Sequence, residues 1–299
     1  MIGAEDILAR VEDIPPLPGT VIRLMNVLND PASTVNDIVE IVKYDQAVTT
    51  QMLRLCNSAY FGLSHQVNSL NDAMRYLGTT KVMQLLMAVH ANSLLSKAQP
   101  GYGLDPGILW KHSVAVALAS TTFAQRVNLA NANLAFTAGL LHDIGKVVLN
   151  EHVGQEFTEI VRLCAEQKLA FSEAETQVLG FSHAEVGGLL AEAWSLPEPI
   201  IRAIRHHLNP SELDPPDPLV DIVCLSDCLC MILGIGLGSD GLRYRADSSI
   251  LERYNLNETD LELVGAEVMI ELKDVEMLFA DASLAGTQES SGTPAGGLS

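Results

Sequence analysis

The chain has 299 residues, 48% of them hydrophobic and 5% aromatic, enough to bury a core larger than one domain of ordinary size requires. Acids outnumber bases by 37 to 18, leaving a formal charge of −19. Such a surface argues against a binder of duplex nucleic acid, which needs clustered lysine and arginine, and against docking on an anionic membrane.

The opening MIGAEDILAR has no basic stretch followed by an apolar run, so no secretory signal is expected and a cytoplasmic address follows. From Ala4 to Leu95 apolar residues recur at intervals of three and four, as in Val21, Leu24, Met25 and Leu28, the spacing of amphipathic helices. Pro18-Gly19, Thr34 with Asp37, and Ser69 with Asp72 mark helix starts, the last two as capping-box-like pairs. The segment QPGYGLDPG, Gln99 to Gly107, is a cluster of helix breakers and reads as a linker between two lobes.

Helical periodicity resumes over Ile108–Val127, Leu134–Asp143, Gln155–Lys168, Ser172–Leu179, Ser182–Trp194 and Glu198–Leu208, with no sustained β alternation. The most apolar stretch, Leu219 to Gly238, contains Asp221 and Asp227. Two carboxylates cost too much inside a bilayer, so this stretch reads as a buried helix. Asp247 to Asp281 holds ten acids against Arg253 and Lys273 and reads as a last helix with a solvated acidic face. Residues 282–299 are rich in Gly, Ser, Thr and Ala and are expected to stay unordered. The expected architecture is all-α and two-lobed: an N-terminal lobe over 1–105, a second helical lobe over 106–281, and a low-complexity tail over 282–299.

Five of the eight histidines fall at helix ends. His112 lies near the start of one predicted helix and His142 at the end of the next, so an antiparallel hairpin gathers both at its open end. Ser182 with Glu185 starts a helix at His183, and the following helix ends at His206-His207, so a second hairpin repeats the arrangement. Facing ends would make a histidine-rich pocket. Asp143 directly follows His142, and Asp227 sits in CLSDCLCMIL, where it must find a cation, a metal or several donors. Arg202 or Arg205 would serve as that cation. Lys146 reads either as a contact for a phosphate oxygen or as a solvated helix-terminal charge. A nitrogen and oxygen donor set without thiolate favours iron or manganese over structural zinc. Cys224, Cys228 and Cys230 read as small core residues.

The run AFTAGLLHDIGKVVL, Ala135 to Leu149, resembles the signature of the HD phosphohydrolase superfamily. With IPPLPGT, LRLCNSAYFG, SLNDAMRYLG, WKHS and FSHAEVGGLLAEAWSLPEPIIRAIRHH in order, the chain resembles the HDOD-domain proteins from Ile14 to about Leu233. The resemblance implies an N-terminal helical lobe packed on an HD-type lobe, and a bacterial signalling role exerted through a signalling protein or a small phosphorylated ligand. It also implies an HD-type site for two transition-metal ions. His112, His142, Asp143 and Asp227 would hold the first; Asp143 would bridge to the second, held by His183, His206 and His207, with Lys146 beside a substrate phosphate. The alternative implied is a metal-dependent phosphohydrolase. After His207, however, the chain reads LNPSELDPP, where the related HD-GYP phosphodiesterases carry an acidic residue and a Gly-Tyr-Pro loop.

Overall fold

A computed structural model of the chain describes residues 14, 17, 19–29, 33–43, 45–57, 61, 66–129, 132–239 and 248–289. Among them all longer elements are helical, and the β contribution is one isolated antiparallel bridge between Gln99 and Leu104. The N-terminal helices are α1 (Gly19–Asn29), α2 (Val35–Val42), α3 (Gln46–Cys56), α4 (Leu70–Leu77) and α5 (Thr79–Leu95). The expected caps form: the Thr34 amide donates to Asp37 at 2.7 Å, and the Asp72 amide donates to the Ser69 hydroxyl at 3.1 Å. These helices close on their own apolar cluster, which includes Leu24, Val42, Met52, Leu55, Met83 and Leu86. Burying one such side chain contributes about 1.5–3 kcal/mol.

The second, larger cluster is built by α6 (Ile108–Arg126), α7 (Ala132–Leu141), α8 (Gly145–Glu166), α9 (Phe171–Leu179), α10 (His183–Ala193), α11 (Glu198–His206) and α12 (Pro218–Ile232). Helices α6 and α7 are each other's main neighbours, as are α10 and α11. Both pairs are antiparallel: Gly139 lies against Ala117 while His142 lies against His112, and Gly187 lies against Ile204 while His183 lies near His207. Helix α12 packs against α6, α7 and α11 and brings Asp227 to His112 and His142.

A short helix α13 (Ser248–Arg253) leads into the long α14 (Glu258–Glu289). Helix α14 lies across both clusters, adding Val264, Val268, Leu272 and Val275 to the larger and Leu278 to the smaller. Its flanking acids meet Lys81, Lys111 and Arg126 at 2.8–3.5 Å. Exposed pairs of this kind add little stability, so the apolar stripe holds the helix down.

The structure departs from the sequence expectations at four places. Helix α14 runs on to Glu289, into the segment expected to be unordered; a helix already nucleated propagates cheaply through Ala, Leu, Gln and Glu. Residues 290–299 of that segment, like residues 1–13 and 240–247, lie outside the described residues. Helix α8 begins at Gly145, earlier than expected, because Val148, Leu149 and Val153 are all buried and carry its apolar face back to the turn. Helix α12 stops at Ile232, since Gly234 and Gly236 both adopt φ of 74°. Within the breaker segment Gln99–Gly107, residues 99–104 form a packed turn, with Tyr102 and Leu104 buried.

Candidate metal centre

The two hairpins bring their histidines to one place. His112 and His142 have ring centroids 5.3 Å apart, His142 and His207 are 5.0 Å apart, and His183 and His207 are 5.8 Å apart. All four are buried. Their local contacts fix which ring nitrogen faces inward. Nδ1 of His112 donates to the Ile235 carbonyl at 2.9 Å, Nδ1 of His142 to Gly139 at 2.7 Å, and Nδ1 of His207 to Ile204 at 2.8 Å. A carbonyl only accepts, so each Nδ1 carries a proton and Nε2 is the nitrogen turned to the cluster, whose lone pair is free when the ring is neutral. The turn that supplies the Ile235 carbonyl also brings Gly236 so close that a Cβ there would meet His112 Cβ at 2.4 Å.

Two carboxylates lie among these Nε2 atoms. Asp143 Oδ2 is 3.3 Å from His142 Nε2 and 3.7 Å from His112 Nε2, while Oδ1 is 3.3 Å from His183 Nε2 and 3.8 Å from His207 Nε2. Asp227 Oδ1 is 3.0 Å from His112 Nε2 and 3.7 Å from His142 Nε2. The arginines weighed as partners of Asp227 go elsewhere, Arg202 to Asp217 and Arg205 to Glu192. Lys146 is a buried residue in the first turn of α8, with Nζ 2.5 Å from Asp143 Oδ2. It is therefore not a solvated helix-terminal charge. Gly145 makes that turn possible, because a Cβ there would lie 1.9 Å from the His183 carbonyl oxygen.

Burial opposes charge on every group here, and the groups offset it in one another. The cationic neighbours His142 and Lys146 hold the Asp143 carboxyl well below its usual range against burial, and His112 and His142 do the same for Asp227. Burial also works against a proton on His142, yet Asp143 and Asp227 outweigh it and raise that ring to about 10. His183 is raised to about 9 against the same desolvation by Glu175 and Asp143. His207 goes the other way, to about 3, because burial and the neighbouring His142 both disfavour its charge.

The donor set fits a cation. The Nε2 atoms of His142 and His207 are buried without a hydrogen-bond partner, and once the rings are deprotonated, with Nδ1–H committed to a carbonyl, each would offer its lone pair to a cation. Candidate ligand atoms of His112, His142 and Asp227 lie within 4.8 Å of one another, as do those of His142, Asp143 and His207. No thiolate joins them; all five cysteines are buried and none forms a disulfide. A cleft with an interior of about 80 Å³ reaches the cluster from outside, lined by Asp143, Lys146, His183 and Asp227 at its floor and by Phe171, Ser172, Leu208 and Asn209.

One expected site residue stands apart, and one participant was not anticipated. The side chain of His206 is 25% exposed and points towards Glu212, with Nδ1 3.6 Å from Oε2. The unanticipated residue is Glu175, wholly buried, which accepts from the His183 amide and from His183 Nδ1, both at 2.8 Å. Its sequence signal is position: it lies four residues after Phe171 and four before Leu179, on the apolar face of α9. Asp221, which reads in sequence as a helix-start charge, is fully buried and bound by Arg253 and by the Tyr254 hydroxyl at 2.9 Å, so it ties α12 to α13.

A model of the HDOD domain matches residues 14–210. The chain belongs to the HDOD family. An HDOD domain protein of unknown function from Geobacter sulfurreducens shares its fold at 27% identity and a TM-score of 0.67, covering 93% of this chain and 98% of that one. An uncharacterised protein of Treponema pallidum is 29% identical over 230 residues, 75% of this HDOD chain and 43% of the other protein. A ribonuclease Y of Petrotoga mobilis is 32% identical over 133 residues, 44% of this chain and 19% of the enzyme. The chain thus spans less than half the length of these curated relatives. Among its described residues no helix is long and apolar enough to cross a membrane.

Proposed function

We propose that this HDOD protein is a cytoplasmic signalling module that keeps an HD-type metal centre and acts by binding a small phosphorylated ligand or a signalling protein at the mouth of that centre. The observation that carries the reading is the convergence of the partnerless Nε2 atoms of His142 and His207 on two buried carboxylates, Asp143 and Asp227, which line the floor of a cleft together with Lys146 and His183. His112, His142, Asp143, His183, His207 and Asp227 would hold the metal, iron before manganese, with Asp143 placed between the two groups of ligands. His206 joins the second group only if its ring turns away from Glu212. When bound, a pair of divalent ions supplies an activated water and neutralises charge on a phosphoester.

The chain's own residues set what the mouth accepts. Lys146 offers its ammonium to a phosphate oxygen, in exchange for its present contact with Asp143. The small interior accommodates a phosphate group far better than a cyclic dinucleotide, for which ligand pockets of about 300–1,000 Å³ are usual. The acidic surface adds a further penalty for a polyanion.

A second reading, metal-dependent phosphoester hydrolysis, is supported by the position of Lys146 beside Asp143 and by the similarity to a ribonuclease Y. Steady-state assays of iron- and manganese-loaded protein on bis-p-nitrophenyl phosphate and on cyclic-di-GMP separate the two readings. The signalling reading expects slow cleavage of the first substrate and negligible cleavage of the second. Fast, saturable cleavage of cyclic-di-GMP, abolished in both Asp143→Ala and Lys146→Ala, would establish the hydrolase instead.

A further inference from the structure

The turn joining the N-terminal helices to α6 is built into the wall of the metal centre. Gly101 sits directly on α8: its amide donates to Asn150 Oδ1 at 2.8 Å, and a Cβ on it would lie 2.0 Å from the Asn150 carbonyl oxygen. That contact drives the next residue, Tyr102, inward until it is wholly buried. The ring of Tyr102 lies edge-on to His183 with centroids 6.1 Å apart, packs on Phe171 at 5.9 Å, and has Lys146 Nζ 5.8 Å from its centroid. Its hydroxyl donates to Glu175 Oε1 in a short hydrogen bond.

Glu175 therefore receives donors on both oxygens: Tyr102 on Oε1, and the amide and Nδ1 of His183 on Oε2. Every partner is a donor, which suits an acceptor-only carboxylate. With Nδ1–H committed to Glu175, the His183 ring is held in one rotation and its Nε2 faces Asp143 Oδ1. A carboxylate that grips the outer nitrogen of a ligating histidine fixes its tautomer and strengthens it as a donor.

We propose that Glu175 and Tyr102 are positioning residues for the metal centre, and that the chain His183–Glu175–Tyr102 makes the 99–104 turn respond to metal occupancy. The proposal rests on the metal-binding reading of the site and adds its regulation. Because binding coupling is reciprocal, metal that tightens His183 also tightens the turn, and loosening the turn weakens the metal. The turn closes on itself through the Gln99 and Leu104 amides, each donating to the other residue's carbonyl at 2.9 and 3.1 Å, so its order is readable at those amides.

The test uses the full chain, with Mn²⁺ titrated against a competing chelator and hydrogen exchange followed at residues 99–104, in wild type, Glu175→Gln and Tyr102→Phe. Glu175→Gln should bind Mn²⁺ about 10- to 100-fold more weakly. Tyr102→Phe, which removes one oxygen and keeps the ring, should lose a smaller factor of affinity but abolish the metal-induced slowing of exchange at 99–104. If Glu175→Gln fails to fold, Tyr102→Phe decides alone. Wild type that binds Mn²⁺, with both variants matching it in affinity and in exchange, would overturn the relay and leave the metal centre standing. Wild type that binds no Mn²⁺ would overturn the metal centre and the relay together. Variants that merely melt earlier as apo protein, with unchanged affinity, would make both residues structural and overturn the proposal.

Discussion

The two hydrophobic clusters of this chain are built to different rules. Among the described residues the N-terminal cluster buries only apolar side chains, Leu and Val above all, and its polar groups stay at the rim as helix caps. The larger cluster buries His112, His142, Asp143, Lys146, Glu175, His183, His207, Asp221 and Asp227 among its Val, Leu and Ile. Charges in such surroundings cost several kcal/mol each unless they are paired, and pairing rarely repays the whole cost. A core built for stability alone would be apolar, as the first cluster is. The second holds the buried polar cluster proposed as the metal centre, and the first holds no such group among its described residues.

That contrast can be broken by mutation, and the largest effect should come from its centre. Asp143→Ala should abolish metal uptake and lower stability in urea by about 3–5 kcal/mol, because it strands Lys146 and the charged histidines in the interior. Leu86→Ala in the first cluster should cost a comparable ~2–5 kcal/mol through the cavity it leaves, with metal content unchanged. If both variants kept their metal, or both lost it, the division of labour between the clusters would be wrong.

Stripping the metal is the next largest perturbation. A ligand that binds only the native state at a hundred times its Kd adds about 2.7 kcal/mol, so chelation should lower the thermal midpoint of wild type and leave that of Asp143→Ala where it is. Scanning calorimetry with and without chelator checks this. Lys146→Ala should keep its metal and destabilise less than Asp143→Ala.

The pH dependence sharpens the comparison further. His142 and His183 are raised to about 10 and about 9. A raised folded-state value adds stability that is complete below the ordinary histidine value and is lost as pH rises through the folded one. The apo protein should accordingly be less stable to urea at pH 9.5 than at pH 6. Metal must displace those same protons, so its affinity should rise with pH and its binding heat should depend on the buffer's ionisation enthalpy. A binding heat independent of buffer would contradict the protonated apo cluster. The smallest effect should come from His206→Ala, which is expected to retain more metal by elemental analysis than His207→Ala, since His206 faces Glu212 outside the buried cluster.

Much of this was legible in the sequence because the helices carry their own punctuation. Ser182 with Glu185 fixed the start of α10, and thereby His183, and the Glu185 amide does donate to the Ser182 hydroxyl at 3.2 Å. The hairpin reading then paired His112 with His142, and His183 with His206-His207, without any knowledge of packing; that the two open ends face each other was a condition, and the packing of the hairpins meets it. What stayed hidden depends on contacts between distant segments. Glu175 looks like any acid on a helix until α10 docks against α9, and Tyr102 looks like a linker residue until Gly101 meets Asn150. His206 and His207 are adjacent, and only the way α11 seats on its neighbours decides that one ring is buried and the other faces Glu212. Lys146 required the early start of α8, which two glycines and a histidine in residues 145–154 conceal.

The central claim is that the buried polar cluster is a metal centre, and elemental analysis of the wild-type chain purified without chelators tests it most directly. About two transition-metal ions per chain, iron foremost, are expected from a donor set of this kind. A metal content near zero, with no uptake of iron or manganese on reconstitution under reducing conditions, would contradict it.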